Sequence, residues 1–476
     1  MSKNLQRLTF ALIVFQLVFW TLIPLIAHHA PPLDATEMYG WSLSFEWGFY
    51  KHPPMPTWLV ALVQMVVGKN MFSLFLCASL VISATYYCVA WLAARFLPEK
   101  EAFVALFLYA LTIYCHLWST DFNHNQMQMP FWALSLVCIV KALDTGSRKW
   151  ACILGVVMGF NALSKYTAAF IMPCAIFLLL AFPAWRKQLN WQMIALASLS
   201  FLIVFGPHLY WLTQHNFLPF HYVSERFDEL RDTNRLLDLL DYLGNIALAH
   251  LCLIFAAIYL LRKKMTLHLI SKESQVFIWV MGIGPVLLTL LVGLFEPLYY
   301  RWAIPMLPMI SIFAAMMLKG RMEDLYSKKA LLIFIILELL FGLAYLFKDQ
   351  MNPRQSARGN YPAPEIANAV YQNWHHLYPA HALKIVSGGE WDAGFVSLFS
   401  PDKTYVYTHA DSVITPWIKE SDVHDCGMVM MSPSAEDLHR FEQAKLQQPL
   451  RISSKNSEEV VVNYAISPPQ GNCQLK

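Results

Sequence analysis

The 476 residues of this chain are 57% hydrophobic and only 14% charged, against the ~25% charged residues of an ordinary soluble domain. That composition excludes a simple soluble globular fold and predicts a helical protein that crosses a membrane several times. A formal net charge of +3 over this length supplies no basic field for nucleic acid, so the placing of the charges says more than their sum.

Apolar stretches long enough to span a bilayer, ~17–25 residues each, run near 8–27, 72–96, 101–118, 130–144, 150–163, 167–184, 192–212, 241–261, 274–294, 299–318 and 330–348. They predict about eleven transmembrane helices. The first follows Lys3 and Arg7 like a signal-peptide core, yet no small-residue cleavage site comes after it, so it reads as an uncleaved anchor. Behind it lie Pro32-Leu33-Asp34-Ala35-Thr36-Glu37 and Tyr50-Lys51-His52-Pro53-Pro54-Met55-Pro56. Asp34 and Glu37 are three apart, which puts both carboxylates on one face of a short interfacial helix. The prolines fix φ and resist helix continuation, holding Lys51 and His52 in a set loop before an apolar interfacial helix at 57–67. A second polar loop, Ser119 to Gln126, brings Asp121, His124 and three amides to a helix mouth. Lys165 is a lone cation between two apolar helices, and Glu296 and Tyr299-Tyr300-Arg301-Trp302 precede Pro305 and Pro308. The charged run 225–232 reads as a solvated lid helix. His250 and Glu338, inside spans, read as paired buried polar groups.

After about residue 350 the composition changes. Residues 351–356 read as a linker, dividing a transmembrane domain (1–350) from a soluble α/β domain (351–476). In the latter a helical pattern at 363–377 precedes strand-like runs at 383–387, 404–408, 426–431 and 459–465, with a further helix near 434–445. This domain holds Cys426 and Cys473, the other seven cysteines lying in or at the ends of apolar spans. In an exported domain the pair could form a disulfide or stay as two free thiols.

Basic residues orient the whole. Threading the spans puts Lys3/Arg7, Arg95/Lys100, Arg148/Lys149, Arg186/Lys187, Arg262/Lys263/Lys264 and Lys319/Arg321/Lys328/Lys329 on one side, the expected cytoplasm. The Asp34 and Asp121 loops, Lys165, Arg301 and the C-terminal domain fall on the other. Ionisable groups beside hydrocarbon are costly, so a cluster kept there is a functional-site candidate. Carboxylates can take a proton or orient a hydroxyl nucleophile. Lys165 and Arg301 can neutralise a phosphate, and aromatic surroundings suit a lipid chain and sugar rings. A lipid-linked phosphosugar needs all three at one water–membrane boundary. A nucleotide sugar would need a cytoplasmic site, and the cytoplasmic loops are short and basic. The plainer alternatives are a solvated acid pair contacting a helix dipole, a snorkelling Lys165 and an Arg301 that only anchors its helix. His52 and His124 with Asp34 or Glu37 could ligate a divalent metal ion; the spacing matches no zinc pattern, and hydrogen bonding suits them better.

The ordered set Asp-x-x-Glu, Tyr-Lys-His-Pro-Pro, Thr-Asp, Leu-Ser-Lys and Arg-Trp-Ala-Ile-Pro-Met-Leu-Pro resembles the membrane glycosyltransferases of the C superfold (GT-C). The nearest likeness is to bacterial relatives of protein O-mannosyltransferases and of the lipid A aminoarabinose transferase. The resemblance covers roughly residues 1–350 and implies a mainly α, polytopic GT-C fold in a bacterial inner membrane, with its site and a small C-terminal α/β domain facing the periplasm. It further implies an enzyme that moves a sugar from a polyprenyl-phosphate donor to an acceptor hydroxyl of lipid A, a polysaccharide or a protein, with inversion. On that analogy Asp34 is the base, Glu37 and Asp121 are the further acids, and Lys165 and Arg301 face the donor phosphate. Lys51, His52, His124 and Tyr300 contact substrate. Two departures stand out: Tyr-Lys-His replaces the family's Glu-Lys before Pro53, which weakens any divalent-metal site near Asp34, Glu37 and His52, and the second loop is unusually polar. A lipid-linked sugar flippase or a non-catalytic scaffold is the rival reading; a transporter would be expected to show inverted repeats and broken helices with polar groups near mid-bilayer.

Overall fold

The computed structural model describes residues 1–229, 234–250, 254, 270–296, 300–317, 328–351, 358–453 and 459–475. Residues 230–232 of the charged run, residues 251–253 and 255–261 of the span predicted at 241–261, Arg262, Lys263, Lys264, Tyr299, Lys319, Arg321 and linker residues 352–356 lie outside them, as do the side chains of Lys328 and Lys329.

Among the described residues five helices are long and apolar enough to cross a membrane: Lys3–Ala27, Met71–Phe96, His124–Thr145, Trp191–Gln214 and Lys272–Gly293. The first, α1 (Lys3–Ala27), is capped by the Ser2 side chain. It buries Leu5, Leu12, Gln16 and Trp20, and turns Phe10, Val14, Val18, Leu22 and Ile26 outward. An apolar stripe every fourth residue is what a helix shows when lipid, not water, lies beside it. Next come α2 (Leu33–Ser42), α3 (Met55–Val67), α4 (Met71–Phe96), α5 (Glu99–Ala110), α6 (His124–Thr145) and α7 (Arg148–Ser164). Asn70 and Asn123 cap α4 and α6, their side-chain oxygens accepting backbone N–H groups of the first turn. The two short helices expected at the interface, near Asp34 and at 57–67, are thus α2 and α3.

Three predicted spans are broken. That at 101–118 is helical only to Ala110, where the Thr112 hydroxyl bonds the Tyr109 carbonyl at 2.8 Å and offers the backbone an alternative to the helix. Cys115 closes a 3₁₀ turn, its freed carbonyl accepting from Gln16 Nε2 at 3.0 Å. The span at 167–184 opens with a 3₁₀ turn, Tyr166–Phe170, before Ile171–Ala181. That at 299–318 is a 3₁₀ segment, Tyr300–Met306, followed by Pro308–Met317; Pro305 and Pro308 remove the N–H groups that a continuous helix needs.

The C-terminal unit is α/β. A helix, Ala363–Leu377, falls where its pattern predicted. Strands β1 (Ile385–Gly388), β2 (Tyr405–Thr408), β3 (Met428–Met431), β4 (Lys445–Leu446), β5 (Leu450–Ser453), β6 (Glu459–Val462) and β7 (Tyr464–Ser467) follow. The main sheet has the order β2-β1-β3-β7-β4, parallel from β2 to β3 and antiparallel beyond, while β5 and β6 pair separately. The strand-like run at 459–465 therefore divides between two sheets. The helix expected at 434–445 stops at Arg440. Cys426 and Cys473 are disulfide-bonded.

Between β1 and β2 runs a crossover helix, Glu390–Phe399, which lies directly on α2. Gly394 permits the approach, since a Cβ there would come within 2.4 Å of the Thr36 methyl. Tyr39 Oη meets Ser397 Oγ at 3.1 Å. From the turn before α4, Lys69 Nζ donates to the carbonyls of Ser397, Ser400 and Asp402 at 3.0, 2.6 and 3.0 Å, a cation on a helix C-terminus.

Candidate active site

Four separate segments meet at one end of the helical part. The first turn of α2 brings Asp34, the loop before α6 brings Asp121, the residue ending α7 is Lys165, and the 3₁₀ segment carries Arg301. Asp121 Oδ1 accepts from the Ala35 backbone N–H at 3.0 Å and its carboxylate also takes the Asp34 N–H. It thereby caps α2 from outside, satisfying donors that its own N-cap, Pro32, leaves unpaired. Asn123 Nδ2 donates to Asp34 Oδ2 at 3.0 Å and to the Asp121 carbonyl at 3.1 Å. Burial, then the nearby Asp34 charge, pushes the Asp121 carboxyl up to about 8, against the pull of Arg301.

Lys165 is 8% exposed. Burial pushes its ammonium down to about 7, with Asp34 opposing. Its Nζ donates to Asn125 Oδ1 and lies 5.4 Å from the Trp302 ring centre. Arg301 hydrogen-bonds to Tyr300 and lines a cavity of about 180 Å³ together with Tyr114, Trp118, Asp121, Asn123 and Gln126. Within that lining the Tyr114 hydroxyl and Gln126 Oε1 are buried with no hydrogen-bond partner among the described residues. Tyr300 stacks near Trp118, ring centres 5.4 Å apart.

Glu37 faces another group. Lys51 Nζ bridges Glu37 Oε1 at 2.6 Å and Glu390 Oε1 at 2.7 Å. Burial raises the Glu37 carboxyl to about 7 despite Lys51. Between this triad and Lys165 sit His52 and His124, ring centres 4.0 Å apart, with His124 Nε2 3.1 Å from the Pro53 carbonyl. Burial, then His124, Lys165 and Lys51, holds His52 well below its ordinary value, so its ring is neutral. Asp34, Glu37 and His52 do not converge as a ligand set, and no group of three His, Cys, Asp or Glu among the described residues is placed to hold a metal ion.

Parts of the chain resemble known proteins. Residues 51–211 match the family described as dolichyl-phosphate-mannose-protein mannosyltransferase, a stretch that contains Lys51, His52, Asp121 and Lys165 but begins after Asp34. A lipid A galacturonosyltransferase of Rhizobium johnstonii is 27% identical over 186 residues, 39% of each chain. An undecaprenyl phosphate-α-4-amino-4-deoxy-L-arabinose arabinosyl transferase of Pseudomonas aeruginosa is 29% identical over 226 residues, 42% of this chain and 40% of the relative. The matched stretches thus span about two fifths of those relatives' length. The crystal structure of ArnT from Cupriavidus metallidurans bound to undecaprenyl phosphate superposes with a TM-score of 0.65 at 12% identity, covering 97% of this chain and 99% of that one. The chain has the GT-C fold.

Within this GT-C framework the expected residues fall into two groups. Asp121 and Arg301 line the cavity and Asp34, Lys165 and Tyr300 adjoin its lining; Glu37 and Lys51 form a separate triad with Glu390, with His52 and His124 between. His250 and Glu338 stand apart from the cluster: His250 Nδ1 meets the Ile246 carbonyl at 2.8 Å, and Glu338 Oε2 accepts from Trp20 Nε1 at 2.7 Å. Sequence reasoning missed Glu390. Its one local signal is Gly388-Gly389 between a strand and a helix, where Gly388 has φ +149°.

Proposed function

We propose that this GT-C protein transfers a sugar from a polyprenyl-phosphate donor to an acceptor hydroxyl on the periplasmic side of a bacterial inner membrane. The observation that carries the reading is the meeting of four groups at a helix-bundle mouth: Asp121 and Arg301 line a cavity there, and Asp34 and Lys165 hydrogen-bond to its lining residues Asn123 and Asn125. The basic-residue pattern supports the periplasmic placement. The relatives named for lipid A and for undecaprenyl phosphate support a lipid-linked donor and a lipid A or related glycan acceptor.

Asp34 takes the acceptor's hydroxyl proton as its oxygen bonds the anomeric carbon from the face opposite the phosphate. The bond between that carbon and the phosphate oxygen breaks, its electrons staying on the polyprenyl phosphate, and the configuration inverts. Lys165 and Arg301 stabilise the departing charge in a partly dry site. Asp121 holds the first turn of α2, and so Asp34, in place through the Ala35 N–H.

The test is transfer of a labelled sugar from a purified polyprenyl-phosphate donor by wild type and Asp34→Asn. Transfer by the wild type that the variant abolishes supports the reading. Movement of the lipid without consumption would support a flippase, and neither movement nor transfer a scaffold.

A further inference from the structure

The α/β unit turns one particular edge toward the helical part. Strand β1 crosses over to β2 on one side while β3 lies on its other side, so the carboxyl ends of β1 and β3 flank a topological switch point, where open α/β sheets bind their ligands. Glu390 follows β1 and His409 follows β2 at that end. His409, Ala410 and Ser432, all just past strand ends there, have φ of 51°, 52° and 48°. Non-glycine residues avoid this region, and such strain concentrates at functional positions. Lys51 meets this end of the sheet at Glu390, its Nζ 2.7 Å from Oε1.

We infer that Glu390 is a positioning residue of the active site, supplied by the α/β unit to hold the Lys51 ammonium at the mouth of the helical domain. The contact is buried on both sides: Lys51, Glu390 and Glu37 side chains are 17%, 18% and 12% exposed. Tyr50 donates a hydrogen bond to Glu390 Oε1, and His409 Nε2 lies 3.7 Å from Oε2. The Tyr50 and Tyr222 rings flank Lys51 at 5.1 and 5.6 Å. Lysine is a point charge on a flexible four-carbon stem, so Glu37 alone would leave it free to swing. Burial would raise the Glu390 carboxyl, but His409 and Lys51 hold it well below the ordinary range. Glu390 thus stays anionic at pH values where Glu37 gains its proton. The crossover helix that carries Glu390 is pinned at its other end by Lys69, and it rests on α2, the helix that bears Asp34 and Glu37.

The experiment compares wild type with the near-isosteric Glu390→Gln and with Lys69→Met, which loosens the far end of the same helix without touching Lys51. All three are purified full-length and treated with an amine-acetylating reagent at pH 8, and Lys51 modification is followed by peptide mass analysis. Losing one carboxylate partner makes Lys51 shed its proton more readily and present the neutral amine that the reagent acylates, so Lys51 labels about tenfold faster in Glu390→Gln, the size of one charge-assisted hydrogen bond. Lys69→Met lowers the melting temperature and leaves Lys51 labelling at the wild-type rate. Equal labelling of Lys51 in wild type and Glu390→Gln overturns the inference. A second arm, which rests on the transferase reading, measures transfer. Glu390→Gln lowers kcat/KM about tenfold, mainly through KM, and Glu390→Asp recovers part of it. Wild type without transfer rejects the transferase reading alone, since the labelling arm stands independently of it.

Discussion

The two ends of the helical bundle treat charge in opposite ways. At the end carrying Arg95, Asp144 accepts two hydrogen bonds from the guanidinium, both at 2.7 Å, and both side chains are about a third or more exposed. In that pair each charge has its opposite, and water shares the load. At the Asp34 end one carboxylate raises another, a lysine is buried beside an amide, and two cavity-lining polar atoms lack partners among the described residues. Stability alone would favour the first arrangement. The second leaves proton affinities displaced toward neutrality, which a reaction can use.

The largest expected effect separates the two ends most sharply. Asp34→Asn removes the base while keeping the Asn123 contact feasible, and transfer falls by about 10²–10⁴-fold in a labelled-sugar assay. Retained activity would return the acid pair to the status of the Arg95 end. Lys165→Met comes next, at about 10²–10³-fold in kcat, as for one lost donor to a developing oxyanion. The pH profile sharpens the contrast further. Lys165 loses its charge as pH rises through about 7, and Asp121 gains a negative charge as it ionises near 8. The first change weakens attraction for a phosphate donor and the second repels it, so wild-type kcat/KM declines from about pH 7 upward. Lys165→Arg keeps its charge above that range and removes the first decline, while Asp121→Asn removes the second. An unchanged profile in both variants would mean that neither group governs donor capture. Chelation with EDTA, given the unconverged donor set at Asp34, Glu37 and His52, leaves transfer unchanged; a loss restored by a divalent ion would reinstate a metal there. Smallest is Arg95→Ala, which costs ~0.2–1 kcal/mol in melting experiments, the worth of an exposed ion pair, and leaves transfer at the wild-type level.

The same contrast explains what the sequence made legible. Asp34, Lys165 and Arg301 stood out because each lies beside apolar spans, where a charge is conspicuous and costly, and Asp121 because its polar loop sits at the mouth of such a span. Glu390 sits in a polar α/β unit where one acid among many carries no contrast, so only its place after β1 and against Lys51 marks it. The helix at 363–377 was readable end to end from its periodicity. The division of 459–465 between two sheets was not, because both halves have the same β-forming residues and only pairing distinguishes them. Likewise, hydropathy alone joined 101–118 into one span, since the Gln16 side chain that accommodates its break comes from another helix 99 residues away.

The Cys426–Cys473 bridge carries one more consequence. Such a bond persists only where glutathione and thioredoxin do not reach it. The free cysteines described in the helical part, by contrast, are buried or half-buried thiols. A maleimide gel-shift on intact cells would therefore act as a compass: the bridged pair resists alkylation until a reductant is added, but only if that portion of the polypeptide lies beyond the cytosol.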